Sequence, residues 1–136
     1  MNASTPSAVA ERTAQMKVLI VESRSELGAL WQRHLERHQM KVSCVNTQEA
    51  AIRFIATQPV EIIILDLVLD EGAALAVSDY ANYRQPDARV IFVTNTTFFS
   101  DGSIFAHSAN ARAFLPSSTP PEDLAAMVEH YGSDRR

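Results

Sequence analysis

The segment 60–69, with the sequence VEIIILDLVL, constrains the fold of this chain more than any other stretch. Within it, Ile62 to Leu65 form a continuous run of β-branched and leucine side chains, which is typical of a strand buried on both faces. Such strands occur in parallel sheets that helices cover on both sides. Asp66 ends the run. We therefore expect its carboxylate at the carboxyl end of a central strand, where open α/β sheets bind ligands.

Other short apolar segments alternate with segments of helical spacing along the chain. The predicted strands are residues 16–21, 41–46, 60–66, 89–94 and 111–115. The predicted helices are residues 27–38, 47–56, 72–83, 97–109 and 121–131, and Ser23 or Ser25 is expected to cap the first of them. The fourth helix has the weakest pattern because Asp101, Gly102 and Ser103 interrupt it. Five strands alternating with five helices predict an α/β fold, a doubly wound five-stranded parallel sheet with the flavodoxin-like order 2-1-3-4-5.

The length of 136 residues, with 46% hydrophobic and 21% charged residues, fits one globular domain. We expect residues 1–15 to form a flexible N-terminal tail, residues 16–131 the domain and residues 132–136 a short C-terminal tail. A separate output domain is expected to be absent.

Charge and hydropathy exclude several classes of function. A net charge of -4 disfavours direct binding of nucleic acid, whose binders usually carry a basic patch. No apolar run approaches the roughly 20 residues of a membrane helix, and the first 16 residues lack the apolar core of a secretory signal. We therefore expect a cytoplasmic protein with no membrane partner. The single cysteine, Cys44, is predicted to be a buried thiol.

Polar residues follow most of the predicted strands. They are Glu22 and Ser23, Asp66, Thr94 and Asn95, and Ser117 with Ser118. An aspartate can attack phosphorus and form an acyl phosphate when a divalent cation and hydrogen-bond donors balance the charge. Glu22 and Asp66 would provide the carboxylate oxygens that Mg²⁺ prefers. The hydroxyl of Thr94 would donate to a phosphoryl oxygen.

Over about residues 16–131 the chain resembles the receiver domain of bacterial two-component response regulators. The matching segments are VLIVES at 18–23, ILDLVLDEG at 64–72, VIFVTN at 90–95 and AFL at 113–115. The resemblance implies that Asp66 is the phosphoacceptor, that Thr94 binds the phosphoryl group and that Thr94 and Phe114 form the switch. It also implies a Mg²⁺ site at Glu22, Asp66 and the backbone carbonyl of Val68, and a signalling protein rather than an enzyme, with at most slow self-phosphorylation and self-dephosphorylation.

The chain departs from the family pattern at two supporting positions. Ser23 stands where a second acidic residue usually contacts the metal, so Mg²⁺ binding is expected to be weakened. Ser117 stands where the family has a lysine that pairs with the phosphorylated aspartate. The two lysines of the chain, Lys17 and Lys41, lie at the amino ends of predicted strands and hence at the opposite edge of the sheet. A serine hydroxyl cannot replace that point charge.

Asp70 and Glu71 allow two interpretations. They are either additional carboxylates that partly compensate for Ser23, or a solvated start of the next helix that the helix dipole stabilises.

Two functions follow from these residues. The first is an atypical single-domain receiver in a phosphorelay, which takes a phosphoryl group on Asp66 from a histidine kinase or a histidine phosphotransfer protein and signals by contact with a downstream target protein. The alternative is a pseudo-receiver, a binding or scaffold module that works without phosphorylation. A haloacid-dehalogenase-like phosphatase is disfavoured because its second acid would fall on Val68.

A homodimer through the fourth helix is a further hypothesis. This segment contains a cluster of apolar residues, Phe98, Phe99, Ile104 and Phe105. Adjacent phenylalanines cannot both face the core from a regular helix, so one of them would serve as a contact anchor. The other interpretation is a distorted loop that buries both.

Overall fold

The computed structural model describes residues 15–94 and 110–133, which form a five-stranded parallel sheet flanked by helices. The strands are β1 (Lys17–Val21), β2 (Lys41–Val45), β3 (Ile62–Asp66), β4 (Arg89–Thr94) and β5 (Ala111–Pro116). The helices are α1 (Ser25–Arg37), α2 (Gln48–Thr57), α3 (Ala74–Arg84) and α4 (Pro121–Ser133). The strand order β2-β1-β3-β4-β5 confirms the predicted topology.

The described residues contain four of the five predicted helices. The remaining one, predicted at 97–109, lies outside the described residues, as does the predicted tail apart from Gln15. No helix within 15–94 or 110–133 is long and apolar enough to cross a membrane.

β3 lies in the middle of the sheet, and all of its residues are buried. Ile64 lies opposite Ile20 of β1 on one side and Ile91 of β4 on the other. Because alternate side chains of a strand point to opposite faces, β3 contributes to two cores, one on each side of the sheet. The apolar run in the sequence therefore has the physical cause that we inferred from it.

Two of the described helices cover each face of the sheet. On one face α2 and α3 contribute Ala51, Ile55, Val77 and Ala81 to the core. On the other face α1 and α4 contribute Trp31, Leu35, Leu124 and Val128. These helix layers hold in place the edge of the sheet that the carboxyl ends of the strands form.

The starts of two helices differ from the prediction. Arg24, not Ser23 or Ser25, is the N-cap residue of α1, and its side chain makes no capping hydrogen bond. Helix α3 begins at Ala74, not at Gly72, because Gly72 has a φ of +99° that a helix cannot contain. The expected start of α2 is confirmed, since Ala50 N donates to Thr47 Oγ1 at 3.1 Å.

The predicted burial of Cys44 is wrong. Cys44 lies near the carboxyl end of β2, which is an edge strand, and it is exposed. Alternation in a short segment does not reveal whether a strand has a neighbour on both sides.

Candidate phosphoacceptor site

The carboxyl ends of the central strands meet at one edge of the sheet, as predicted. Main-chain hydrogen bonds continue past the strands there: Leu67 N donates to Val93 O at 2.8 Å, and Ser117 N donates to Thr94 O at 2.8 Å. This edge carries the predicted site residues Glu22, Ser23, Asp66, Thr94 and Ser117. A cleft of about 180 Å³ opens beside them, lined by Glu22, Ser23, Arg24, Asp66, Val68 and Asp70.

Asp66 is only 4% exposed, and each of its two carboxylate oxygens accepts a hydrogen bond. Its Oδ1 accepts a hydrogen bond from Val68 N at 2.9 Å. Its Oδ2 accepts a longer one from Arg24 Nη2 at 3.4 Å. A buried carboxylate requires such donors, because leaving a buried charge unpaired costs about 3–5 kcal/mol.

Glu22 is fully buried at the end of β1, where its two carboxylate oxygens differ. Oε2 accepts hydrogen bonds from Arg24 N at 3.0 Å and Arg24 Nε at 3.1 Å. Oε1 is buried without a hydrogen-bond partner in the described part of the chain. Burial raises the pKa of Glu22 to about 7, and the neighbouring Asp66 adds to this effect while Arg24 opposes it.

Arg24 connects three residues of the site. Its Nε binds Glu22, while its Nη2 donates both to Asp66 and to Ser117 Oγ, the latter at 3.2 Å. Its hydrogen bond to Glu22 raises the pKa of the guanidinium further, so it is a permanent cation. The prediction from the sequence did not include Arg24, although it directly follows Ser23, because only lysines were considered as replacement cations.

The second metal-ligand position is engaged elsewhere. Ser23 Oγ accepts a hydrogen bond from Asp70 N at 2.8 Å, which ties the β1–α1 loop to the β3–α3 loop. Asp70 and Glu71 are exposed. Within the described residues no group of three His, Cys, Asp or Glu side chains is arranged to hold a metal ion.

The predicted switch residues lie on neighbouring strands. Thr94 ends β4 and is 2% exposed. Phe114 of β5 lies opposite Phe92 and packs, partly buried, against the core on the α2 and α3 side. The apolar cluster predicted as a dimer contact, residues 98–105, lies outside the described residues.

A family model for the response regulator receiver domain matches residues 18–129, most of the chain. The chain belongs to this family. The resemblance seen in the sequence is thereby confirmed. Receiver domains are generally signalling modules rather than enzymes. They commonly bind Mg²⁺ and work with kinases or phosphotransfer proteins and with target proteins.

Solved receiver structures share the fold at low sequence identity. The signal receiver domain of a protein described as a LuxO repressor from Vibrio parahaemolyticus is 24% identical, with a TM-score of 0.80 over 89% of this chain and 92% of that one. A CheY-like receiver domain protein from Methanospirillum hungatei is 17% identical, with a TM-score of 0.82 over 89% and 96%. A response regulator from Burkholderia pseudomallei, solved with a phosphorylated aspartic acid and a calcium ion, is 20% identical, with a TM-score of 0.73 over 85% and 72%. A search of curated proteins gives no match.

Proposed function

We propose that this chain is an atypical response regulator receiver of the cytoplasm that accepts a phosphoryl group on Asp66. The donor is a histidine kinase or a histidine phosphotransfer protein, and the output is contact with a target protein. The observation that carries the proposal is the buried Asp66 carboxylate at the end of β3, whose oxygens accept hydrogen bonds from Val68 N and Arg24 Nη2 in the cleft.

The chemistry is nucleophilic substitution at phosphorus. A carboxylate oxygen of Asp66 attacks the phosphorus of a phosphohistidine and forms an acyl phosphate. The phosphorus–nitrogen bond breaks, and its electron pair leaves with the imidazole nitrogen. The hydroxyls of Thr94 and Ser117 are neutral donors for the phosphoryl oxygens at this edge of the sheet. At most, the protein would catalyse its own slow phosphorylation and dephosphorylation.

The residues present fit a weakly held Mg²⁺ ion. It would be held by Oε1 of Glu22, which has no hydrogen-bond partner among the residues that the structure describes, by an oxygen of Asp66 and by the carbonyl of Val68. When bound, the ion neutralises charge on the attacking and transferred oxygens. Ser23 contributes no carboxylate, and its hydroxyl oxygen is already used by Asp70 N, which is why we expect weak binding.

A change of charge at Asp66 would reach the target through Thr94 and Phe114. A phosphoryl group adds roughly one further negative charge and new acceptor oxygens beside the buried Thr94. Phe114, one strand further, is only partly buried, so its packing is free to respond. We further propose that the target, or a second copy of the chain, binds at the predicted fourth helix, residues 97–109, which lies outside the described residues.

Intact mass spectrometry with Mg²⁺ and acetyl phosphate tests the proposal. The unsubstituted protein should gain one phosphoryl group, whereas Asp66→Asn should gain none. Asp70→Asn is the matched control, because it makes the same charge change in the same cleft at an exposed residue, and it should still be modified. An unmodified native protein at saturating donor, or equal labelling of Asp66→Asn, would rule out phosphorylation of Asp66.

The second candidate is a pseudo-receiver that binds its partner without phosphorylation. It is favoured by the ion pairs of Arg24 with Glu22 and Asp66, which already place a positive charge among the carboxylates. In that case the Asp66→Asn variant would retain full binding of the partner, and no acetyl phosphate adduct would form.

A further inference from the structure

The chain has no lysine near Asp66. Its two lysines, Lys17 and Lys41, lie opposite one another at the amino ends of β1 and β2. Since all strands are parallel, the length of the sheet separates both from the cleft. The position after β5 from which a lysine would reach Asp66 holds Ser117, which is 8% exposed.

Arg24 places a positive charge beside Asp66 and Ser117, although it belongs to a different part of the chain. It starts in the loop between β1 and α1, and its Nη2 lies between Asp66 Oδ2 at 3.4 Å and Ser117 Oγ at 3.2 Å. The hydroxyl that replaces the lysine thus acts as an acceptor that positions the arginine.

Arg24 is anchored in a way that lets its Nη2 leave the Asp66 carboxylate and bind a phosphoryl group instead. Its main-chain N and its Nε both bind Glu22 Oε2, so the near end of the guanidinium is fixed on a fully buried residue. The side chain is nevertheless 47% exposed, and Arg24 lines the cleft. The longest of its contacts is the one to Asp66, the residue that would change on phosphorylation.

We infer that Arg24 is the cationic residue that binds the phosphoryl group on Asp66, supplied from the β1–α1 loop. This inference rests on the proposed phosphorylation of Asp66. A guanidinium offers several donors in one plane and matches phosphoryl oxygens in a bidentate manner, while it keeps its charge at any accessible pH. On phosphorylation, Nη2 exchanges the Asp66 carboxylate for phosphoryl oxygens, and Nε stays on Glu22.

The experiment compares the initial rate of phosphorylation by acetyl phosphate among single variants. Arg24→Met removes the charge but keeps a long apolar chain, and we expect its rate to fall about tenfold or more. Arg24→Lys keeps the charge without the planar fork and should fall between Arg24→Met and the native protein. Arg53→Met is the matched control, because Arg53 forms an exposed ion pair with Glu49 on α2, and its rate should be unchanged.

A second-site variant separates a role in the chemistry from a role in folding. Adding Ser117→Lys to Arg24→Met places an ammonium where Arg24 Nη2 ends, and it should restore the rate to within about threefold of the native protein. Rescue by the introduced lysine is not expected if Arg24 only stabilises the loop. Equal rates for Arg24→Met and the native protein, or a loss without rescue, would overturn the inference while Asp66 remains the phosphoacceptor. Absence of labelling in the native protein would instead overturn the proposed function, and this inference with it.

Discussion

Glu22 is the residue of the site whose protonation state is set by opposing effects. Its side chain is fully buried, one oxygen binds Arg24 twice and the other is unpartnered in the described part of the chain. Burial favours the neutral acid, whereas Arg24 favours the carboxylate. A second cation at Oε1 would shift this balance towards the carboxylate, so protonation of Glu22 and metal binding should oppose one another.

The raised pKa of Glu22 predicts that the metal-free protein becomes less stable as the pH rises. The folded state holds the proton up to about pH 7, whereas the unfolded chain releases it near 4.5. The folded state therefore binds more protons between these values, and the free energy of unfolding should fall there by up to about 3 kcal/mol. Urea unfolding in the presence of EDTA, at pH values from about 4 to 8 in steps of about one unit, measures this change in the free energy of unfolding.

Glu22→Gln and Glu22→Asp are the variants for this test. The glutamine variant lacks the titrating group, so its stability should depend less on pH, whereas the aspartate variant should keep the decline. If the native and glutamine proteins differ by the same amount at every pH, the titration of Glu22 makes no contribution.

At the scale of single elements, helix ends decide several local details. Helix α1 ends at Arg37, and Gln39, two residues later, adopts a φ of +67° in the left-handed region. Met40 N and Gln39 N bond back to Leu35 O and Glu36 O, which closes the last turn of the helix. Glycine is the usual residue at such a position, because a Cβ atom makes this backbone conformation unfavourable.

Replacing Gln39 by glycine should therefore stabilise the protein. We expect Gln39→Gly to raise the free energy of unfolding by about 0.5–1 kcal/mol, since Gln39 is exposed and loses no packing. Gln39→Ala is the control: it keeps the Cβ atom and should give no such gain. Chemical denaturation of the three proteins decides, and a gain shared by alanine and glycine would contradict the role assigned to the backbone.

At the scale of the whole molecule, the site depends on a sheet that is covered on both faces. The described residues form two cores, one on each face of the sheet, and β3 contributes to each of them. The helix layers thereby hold the carboxyl ends of the strands, and with them Glu22 and Asp66, in a fixed arrangement. Both layers should therefore matter equally for stability.

Alanine substitutions at two adjacent residues of β3 test this equality. Ile63 packs in one core and Ile64 in the other, and both are fully buried. We expect Ile63→Ala and Ile64→Ala each to lower the free energy of unfolding by about 2–5 kcal/mol in urea denaturation. Tyr83→Ala, at a side chain on α3 that is 80% exposed, should change it by less than about 0.5 kcal/mol. A small effect at one isoleucine only would mean that one helix layer is loosely packed.

The fold followed from the sequence because burial leaves a repeating pattern. The apolar run of β3 predicted a strand covered on both sides, and the alternation of elements predicted the order of the sheet, both of which are confirmed. The exposure of Cys44 was not predictable in this way, since it depends on β2 being an edge strand. The placement of Asp66 beside Glu22 and Thr94 was predictable, because parallel strands bring their carboxyl ends to one edge.

The sequence by itself thus determined the sheet and the carboxylate at the end of its central strand, and only the tertiary structure decided which cation lies beside that carboxylate. Strand ends are fixed by main-chain hydrogen bonds, so their positions follow from the order of the elements. Arg24 has a long side chain with many rotamers, and the acceptors within its reach come from three separate segments of the chain. Its contacts with Asp66 and Ser117, which are 42 and 93 residues away, exist only once those segments are folded together.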